Sequence, residues 1–270
     1  MRLGLSTSAF YGRWETEESA AAISRLHLDC AEVFLQTASE YTRMFARLVK
    51  ANLGDTPCTS LHPLGTPFEN ALISRSPRQR QDARDVLQRI LDAGQELGAK
   101  VYVHHGRHTP RNEILPWNMQ ANAEMLDIIK AEAAPRGIEV AWENVCWCQL
   151  TTPQRVSMAR EVMPDLRFTL DIKQAMKAGC DPIDFVQAMG SGLCNVHVCD
   201  WDANGKLCLP GEGNFDFDAF IQALKEVEYD GPIIIEPYLA LIHSDAALER
   251  SIAYMRSRIA QSFNTINSAG

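Results

Sequence analysis

The stretch from Ile138 to Cys148, IEVAWENVCWC, decides how the rest of the chain is read. It follows the break Pro135-Arg136-Gly137, opens on a short apolar run (Ile138, Val140, Ala141, Trp142), and stops on Glu143 and Asn144. A run this short, entered from a turn signal, predicts a buried strand. A carboxylate at the exit of a buried strand needs a partner, because an unpaired buried charge is costly. The pattern returns three times downstream. Arg167-Phe168-Thr169-Leu170 ends on Asp171, Asn195-Val196 leads to His197, and Ile233-Ile234-Ile235 ends on Glu236. Any one of these alone could be a buried polar group satisfied by backbone amides. Glu, Asp, His and Glu at four successive strand ends form an oxygen and imidazole donor set. That set suits one divalent ion such as Mn, Mg, Co or Zn.

Working outward, the same alternation of strand and helix covers the chain. The expected strands are Arg2 to Ser6, Cys30 to Leu35, Thr59 to Leu61 ending on His62, and Val101 to Val103 ending on His104 and His105. The four runs above complete the set. Between them lie predicted helices from Thr16 to about Leu28, Glu40 to Leu53, Pro77 to Leu97 and about Asn118 to Ala134. Further helices start at Thr152-Pro153, Asp181-Pro182, Asp216 and Ser244-Asp245. Ser76 before Pro77 and Gly98 after Leu97 are helix-end signals. Pro63 and Gly65 should break the third strand. Eight strand-helix repeats argue for one closed (β/α)8 barrel spanning residues 1–270, with a polar tail from about 263. A doubly wound open sheet is the competing topology, but no Gly-rich dinucleotide turn follows the first strand.

The chain has 270 residues, a hydrophobic share of 46% and a formal net charge of -8. The charge disfavours a nucleic acid partner. No run of about 20 apolar residues suggests a membrane span, and the N-terminal residues lack the layout of a signal peptide. The expected setting is cytoplasmic, with the eight cysteines as reduced thiols. Cys146-x-Cys148 has the wrong spacing for common zinc pairs and has no second pair. A homo-oligomer is compatible with the sequence.

In such a barrel the C-terminal strand ends form the active-site face. His62 and His104 are therefore expected to contact substrate hydroxyls or carbonyls. His104 and His105 point to opposite sides of their strand, so at most one of them faces the barrel mouth.

With the ENV at Glu143, the Asp171 strand end, NVHVCD around His197, LPGEGNFDF from Leu209 to Phe217 and IIIEPY around Glu236, the chain resembles the xylose isomerase-like (endonuclease IV-like) barrel superfamily. The resemblance is to its sugar phosphate isomerase/epimerase branch and extends over essentially the whole length. It implies one divalent metal held by Glu143, Asp171, His197 and Glu236, with Glu143 and Glu236 also exchanging the substrate proton. The implied activity is isomerisation or epimerisation of a small sugar, keto-sugar or related hydroxy-carbonyl compound through a metal-stabilised enediolate. A keto-inositol-type dehydratase begins with the same proton abstraction, and a sugar-binding barrel without catalysis is a further reading.

The sequence departs from the family pattern in two places. Gln174 stands where the family often has His, with Lys173 beside it, and both are expected to contact substrate. Gly205-Lys206-Leu207-Cys208 replaces the Asp-x-His pair of the DNA-repair endonucleases, which argues against phosphodiester cleavage. Lys206 is expected to contact substrate. Pro210 to Gly213 reads as a tight turn that could present Glu212 to the site.

Overall fold

A computed structural model describes residues 1–64, 67–108 and 115–267. Eight parallel strands close in the order β1 (Arg2–Ser6), β10 (Pro232–Ile235), β7 (Leu193–Val198), β6 (Arg167–Asp171), β5 (Glu139–Glu143), β4 (Val101–His104), β3 (Cys58–Pro63) and β2 (Cys30–Leu35). The chain is thus a (β/α)8 barrel. Strands β8 (Asp200–Trp201) and β9 (Leu207–Cys208) form a small antiparallel hairpin after β7.

The main helices pack outside the barrel: α1 (Thr16–Ser24), α2 (Arg43–Leu53), α4 (Pro77–Leu97), α5 (Met119–Ala133), α6 (Pro153–Val162), α8 (Pro182–Met189), α9 (Phe217–Glu226) and α10 (Asp245–Asn267). The strands carry bulky side chains outward into this helical layer, with Tyr102, Trp142 and Phe168 fully buried there. Smaller ones, Val101, Val103 and Ala141, meet inside the barrel. Parity along each strand therefore fixes what faces the lumen.

Several boundaries differ from expectation. Helix α1 stops at Ser24 because the chain turns through His27, whose φ is 50°. Its start is fixed by the Glu18 carboxylate, which accepts the Glu15 backbone N–H at 3.1 Å. The helix expected from Glu40 starts at Arg43 instead. Glu40 is drawn inward to accept from Gln36 N at 2.6 Å and Thr16 Oγ1 at 3.1 Å, and Thr42 caps the helix. Strand β3 extends to Pro63, and Gly65 lies outside the described residues. Two short helices were not foreseen, α3 (Pro67–Ala71) and α7 (Ile172–Lys177). Helix α10 continues to Asn267, past the expected start of a polar tail; residues 268–270 lie outside the described residues.

Candidate active site

Each strand that ends on a polar residue delivers it to one end of the barrel. Glu143 and Asp171 are the last residues of β5 and β6, His197 is the fifth residue of β7, and Glu236 follows β10. Asp171 lies opposite His197 in the ladder, and His197 opposite Ile234. One ligand atom from each of Glu143, Asp171, His197 and Glu236 lies within 4.8 Å of the others, and all four residues are buried.

The cluster is held from behind. His197 Nε2 lies 2.8 Å from Glu32 Oε2, while its Nδ1 faces Glu143 Oε1 at 3.2 Å and Glu236 Oε2 at 3.4 Å. Ser60 Oγ donates to the same Glu32 oxygen at 2.7 Å, and Asn195 Nδ2 adds a contact at 3.2 Å. With Nε2 directed to Glu32, the imidazole turns Nδ1 to the cluster, where its proton lies between carboxylates and would have to leave before that nitrogen could hold a metal. Asp171 also caps α7, accepting the Gln174 backbone N–H at 3.1 Å through Oδ1.

His62 and His105 stand over these groups with their Nε2 atoms 2.6 Å apart, and His105 Nε2 is 3.1 Å from Glu143 Oε2. Lys173 sends its buried ammonium to Asp171 Oδ2 at 3.1 Å and Glu236 Oε2 at 3.0 Å.

Burial alone would raise every carboxyl here and lower every base. For Glu32, His197 and His62 outweigh burial and hold the carboxyl at about 2. Glu143 is also held low, by His105 and His197, and Glu236 well below its usual range, by Lys173 and His197. At Asp171 burial and the neighbouring carboxylates prevail over Lys173, and the carboxyl moves up. Against their own burial, His62 is raised to about 10 by Glu236 and Glu32, and His197 well above its usual value by Glu32 and Glu236. The carboxylates thus draw in every cationic group within reach. Glu143 Oε2 and Asp171 Oδ2 are buried without a well-directed hydrogen bond. Three carboxylates, an imidazole nitrogen and such underused oxygens suit a divalent cation, so these residues fit a metal.

A cavity of about 390 Å³ opens over the cluster, lined by Glu143, Asp171, Lys173, Gln174, His62 and His105. Tyr11 and Tyr238, each about half exposed, stand at its outer edge. A second cavity of about 410 Å³ lies at the opposite end of the barrel, among Arg2, Lys100, Glu139 and Arg167. Its charges are mixed, and among the described residues no ligand set converges there, so the first cavity is the candidate site.

Three expected contacts fall elsewhere. His104 belongs to the outward-facing set with Tyr102; its Nδ1 sits 3.0 Å from Glu69 Oε2, between barrel and helices, and His105 takes the inward place. Lys206 is exposed in the hairpin turn between β8 and β9, where its backbone N–H is tied to Asp202 Oδ1 at 3.0 Å. Glu212 is also exposed, because the turn around it is organised by Asp200 rather than by the site. The Asp200 carboxylate accepts from the backbone N–H groups of Gly211, Gly213 and Phe215 at 3.0, 3.1 and 3.0 Å. Sequence reasoning passed over Glu32 and the site-lining Trp147 and Tyr238, and took His104 rather than its neighbour His105 as the substrate contact. The signal for Glu32 was present as an acid inside the otherwise apolar CAEVFL.

The chain belongs to the xylose isomerase-like TIM barrel family, whose profile matches residues 20–258. An uncharacterized protein of Methanocaldococcus jannaschii is 29% identical over 178 residues, 60% of this chain and 59% of that protein. The chain thus spans under two thirds of that relative. A D-tagatose 3-epimerase-like protein superposes with a TM-score of 0.76 at 20% identity, over 98% of this chain and all of that one (100%). A D-psicose 3-epimerase studied with D-fructose gives 0.75 at 15% identity, over 96% and 99%. At these identities the two structures speak for the fold alone. Among the described residues, no helix is long and apolar enough to cross a membrane.

Proposed function

We propose that this protein is a divalent-metal-dependent isomerase or epimerase of a small sugar, keto-sugar or related hydroxy-carbonyl compound. The observation that carries this reading is the convergence of Glu143, Asp171, His197 and Glu236 beneath one cavity. These four residues would hold the ion. When bound, it supplies charge that polarises a carbonyl and its neighbouring hydroxyl and so acidifies the C–H between them. Glu143 and Glu236, from β5 and from the end of β10, would remove the proton and return it. His62, Lys173 and Gln174 line the same cavity and would bind substrate oxygens; His105 joins them there. The sugar epimerases that share the fold favour a sugar-like substrate.

The test is proton exchange in deuterated water. Protein loaded with Mn is incubated with a panel of ketohexoses and keto-glycosides and followed by NMR. The reading expects metal-dependent loss of a C–H signal on at least one substrate, abolished by chelation. Loss of a hydroxyl instead of epimerisation would reassign the reaction to dehydration. Ligand binding without exchange would leave a sugar-binding barrel.

A further inference from the structure

Lys173 brings a second cation into the cluster, which holding a metal does not require. Its side chain is 6% exposed, and the ammonium contacts Asp171 Oδ2 and Glu236 Oε2. The partner oxygens of the same carboxylates are engaged elsewhere. Asp171 Oδ1 accepts from Gln174 N, and Glu236 Oε1 faces Ser8 Oγ at 3.4 Å and His62 Nδ1 at 3.7 Å. The oxygens left for an ion are therefore the two that Lys173 holds. Glu236 Oε2 is also the atom that faces His197 Nδ1 at 3.4 Å.

We propose that Lys173 is a built-in counter-cation that competes with the metal for Asp171 and Glu236, so that it lowers metal affinity while steadying the carboxylates. The proposal rests on the metal reading above and adds a role for this chain's own lysine. Two cations cannot share these oxygens without repulsion, and in a buried setting that repulsion is weakly screened. The ammonium has somewhere to go, because its stem lines the cavity and the Tyr238 ring lies 5.0 Å from Nζ. A cation over an aromatic face keeps part of its stabilisation.

The test is titration of metal-stripped protein with Mn by calorimetry, paired with thermal melting. Lys173→Met should bind Mn at least about tenfold more tightly than wild type. Its metal-free form should melt lower, and added Mn should raise its melting temperature by more than it raises that of wild type. Lys173→Arg keeps the charge and should not tighten binding. Lys177→Met serves as a control, since Lys177 reaches the Tyr238 hydroxyl at 2.9 Å and should leave affinity unchanged. If Lys173→Met fails to fold, Lys173→Gln carries the same expectation. Equal or weaker Mn binding by the neutral variants overturns the competition while leaving the metal site standing. Absence of Mn binding by wild type and variants alike overturns both.

Discussion

The side-chain amide of Asn144 is bonded in both directions to the backbone of Asp171. Its Nδ2 donates to the Asp171 carbonyl at 3.0 Å, and its Oδ1 accepts the Asp171 N–H at 2.7 Å. The last paired rung between β5 and β6 is Glu143 with Thr169. Asn144 therefore replaces the next rung with a side chain, which frees the chain after Glu143 to turn away while Asp171 stays fixed. Asn144→Ala should leave two buried backbone groups unpaired and cost about 1–3 kcal/mol. Urea denaturation measures the loss. Mn affinity should fall with it, since Asp171 is no longer anchored.

Glu32 controls His197 in the same indirect way. Its carboxylate accepts the hydrogen bond of the Nε2 N–H and so points Nδ1 at the cluster. Glu32→Gln keeps the size but can offer an N–H to Nε2, which favours the wrong tautomer. Mn affinity should drop roughly 10–100-fold, with the barrel still folded by circular dichroism. An unchanged affinity would show that the imidazole orientation is set by Asn195 and the strand alone.

How far the site could be read from the sequence depended on whether one residue's neighbours lay on its own strand. Glu143, Asp171, His197 and Glu236 announce themselves, because each ends an apolar run and the barrel brings all such ends together. The eight-fold alternation placed the barrel for the same reason. His104 and His105 could not be separated this way. Their parity is settled by Val101 and Val103 packing inside the barrel and Tyr102 packing outside, and a four-residue strand of β-branched and aromatic residues does not say which face is which. Glu212 sits in a motif that matches the family and Lys206 in a stretch that departs from it, yet the geometry of this loop serves Asp200. Lys173 was legible only as an expected substrate contact beside Gln174; its bond to Glu236, 63 positions away, leaves no local mark.

The outward pair Glu69 and His104 should govern part of the acid stability. Glu69 accepts from the Tyr102 hydroxyl at 2.6 Å and sits beside His104. Burial pushes its carboxyl up, but His104 and Tyr102 outweigh burial and hold it below its ordinary 4.5. A carboxyl lowered in the folded state contributes stability above its unfolded value and loses that contribution as pH falls through the folded value. Glu69→Gln should therefore be less stable than wild type at pH 7 by about 1–3 kcal/mol. The gap should narrow as pH drops below 4.5. Denaturation curves for both proteins across that range decide it; a gap that widens on acidification contradicts the assignment.

Asp200 should matter far more than the charged residues it positions. Its carboxylate gathers backbone N–H groups from Trp201, Gly211, Gly213 and Phe215. The loop approaches so closely that a Cβ on Gly213 would sit 2.3 Å from Asp200 Oδ1. Asp200→Ala and Gly213→Ala should each cost more than about 2 kcal/mol in urea denaturation. Glu212→Ala and Lys206→Ala should stay within about 0.5 kcal/mol of wild type and keep its turnover.

The acid/base pair is tested by replacing each carboxylate with its amide, which keeps an oxygen for the ion but cannot take a proton. Glu143→Gln and Glu236→Gln each keep the side-chain shape and one oxygen, so melting temperature in the presence of Mn should show both barrels folded. Neither amide can accept the substrate proton. Turnover on the substrate found by the exchange screen should therefore fall roughly 10²–10⁴-fold, with the loss in kcat rather than KM. The two variants should also differ from each other. A proton removed by one carboxylate from one face and returned by the other to the opposite face gives two half-reactions. One variant should then wash deuterium into substrate without forming product, while the other is silent from that same side. Because Lys173 touches Glu236 and His105 touches Glu143, while His197 reaches both, the two carboxylates differ in part of their surroundings, and the washing variant identifies which of them takes the first proton. Near-normal turnover in both variants would make these residues metal ligands only, and the base would then be sought at His62, His105 or Lys173.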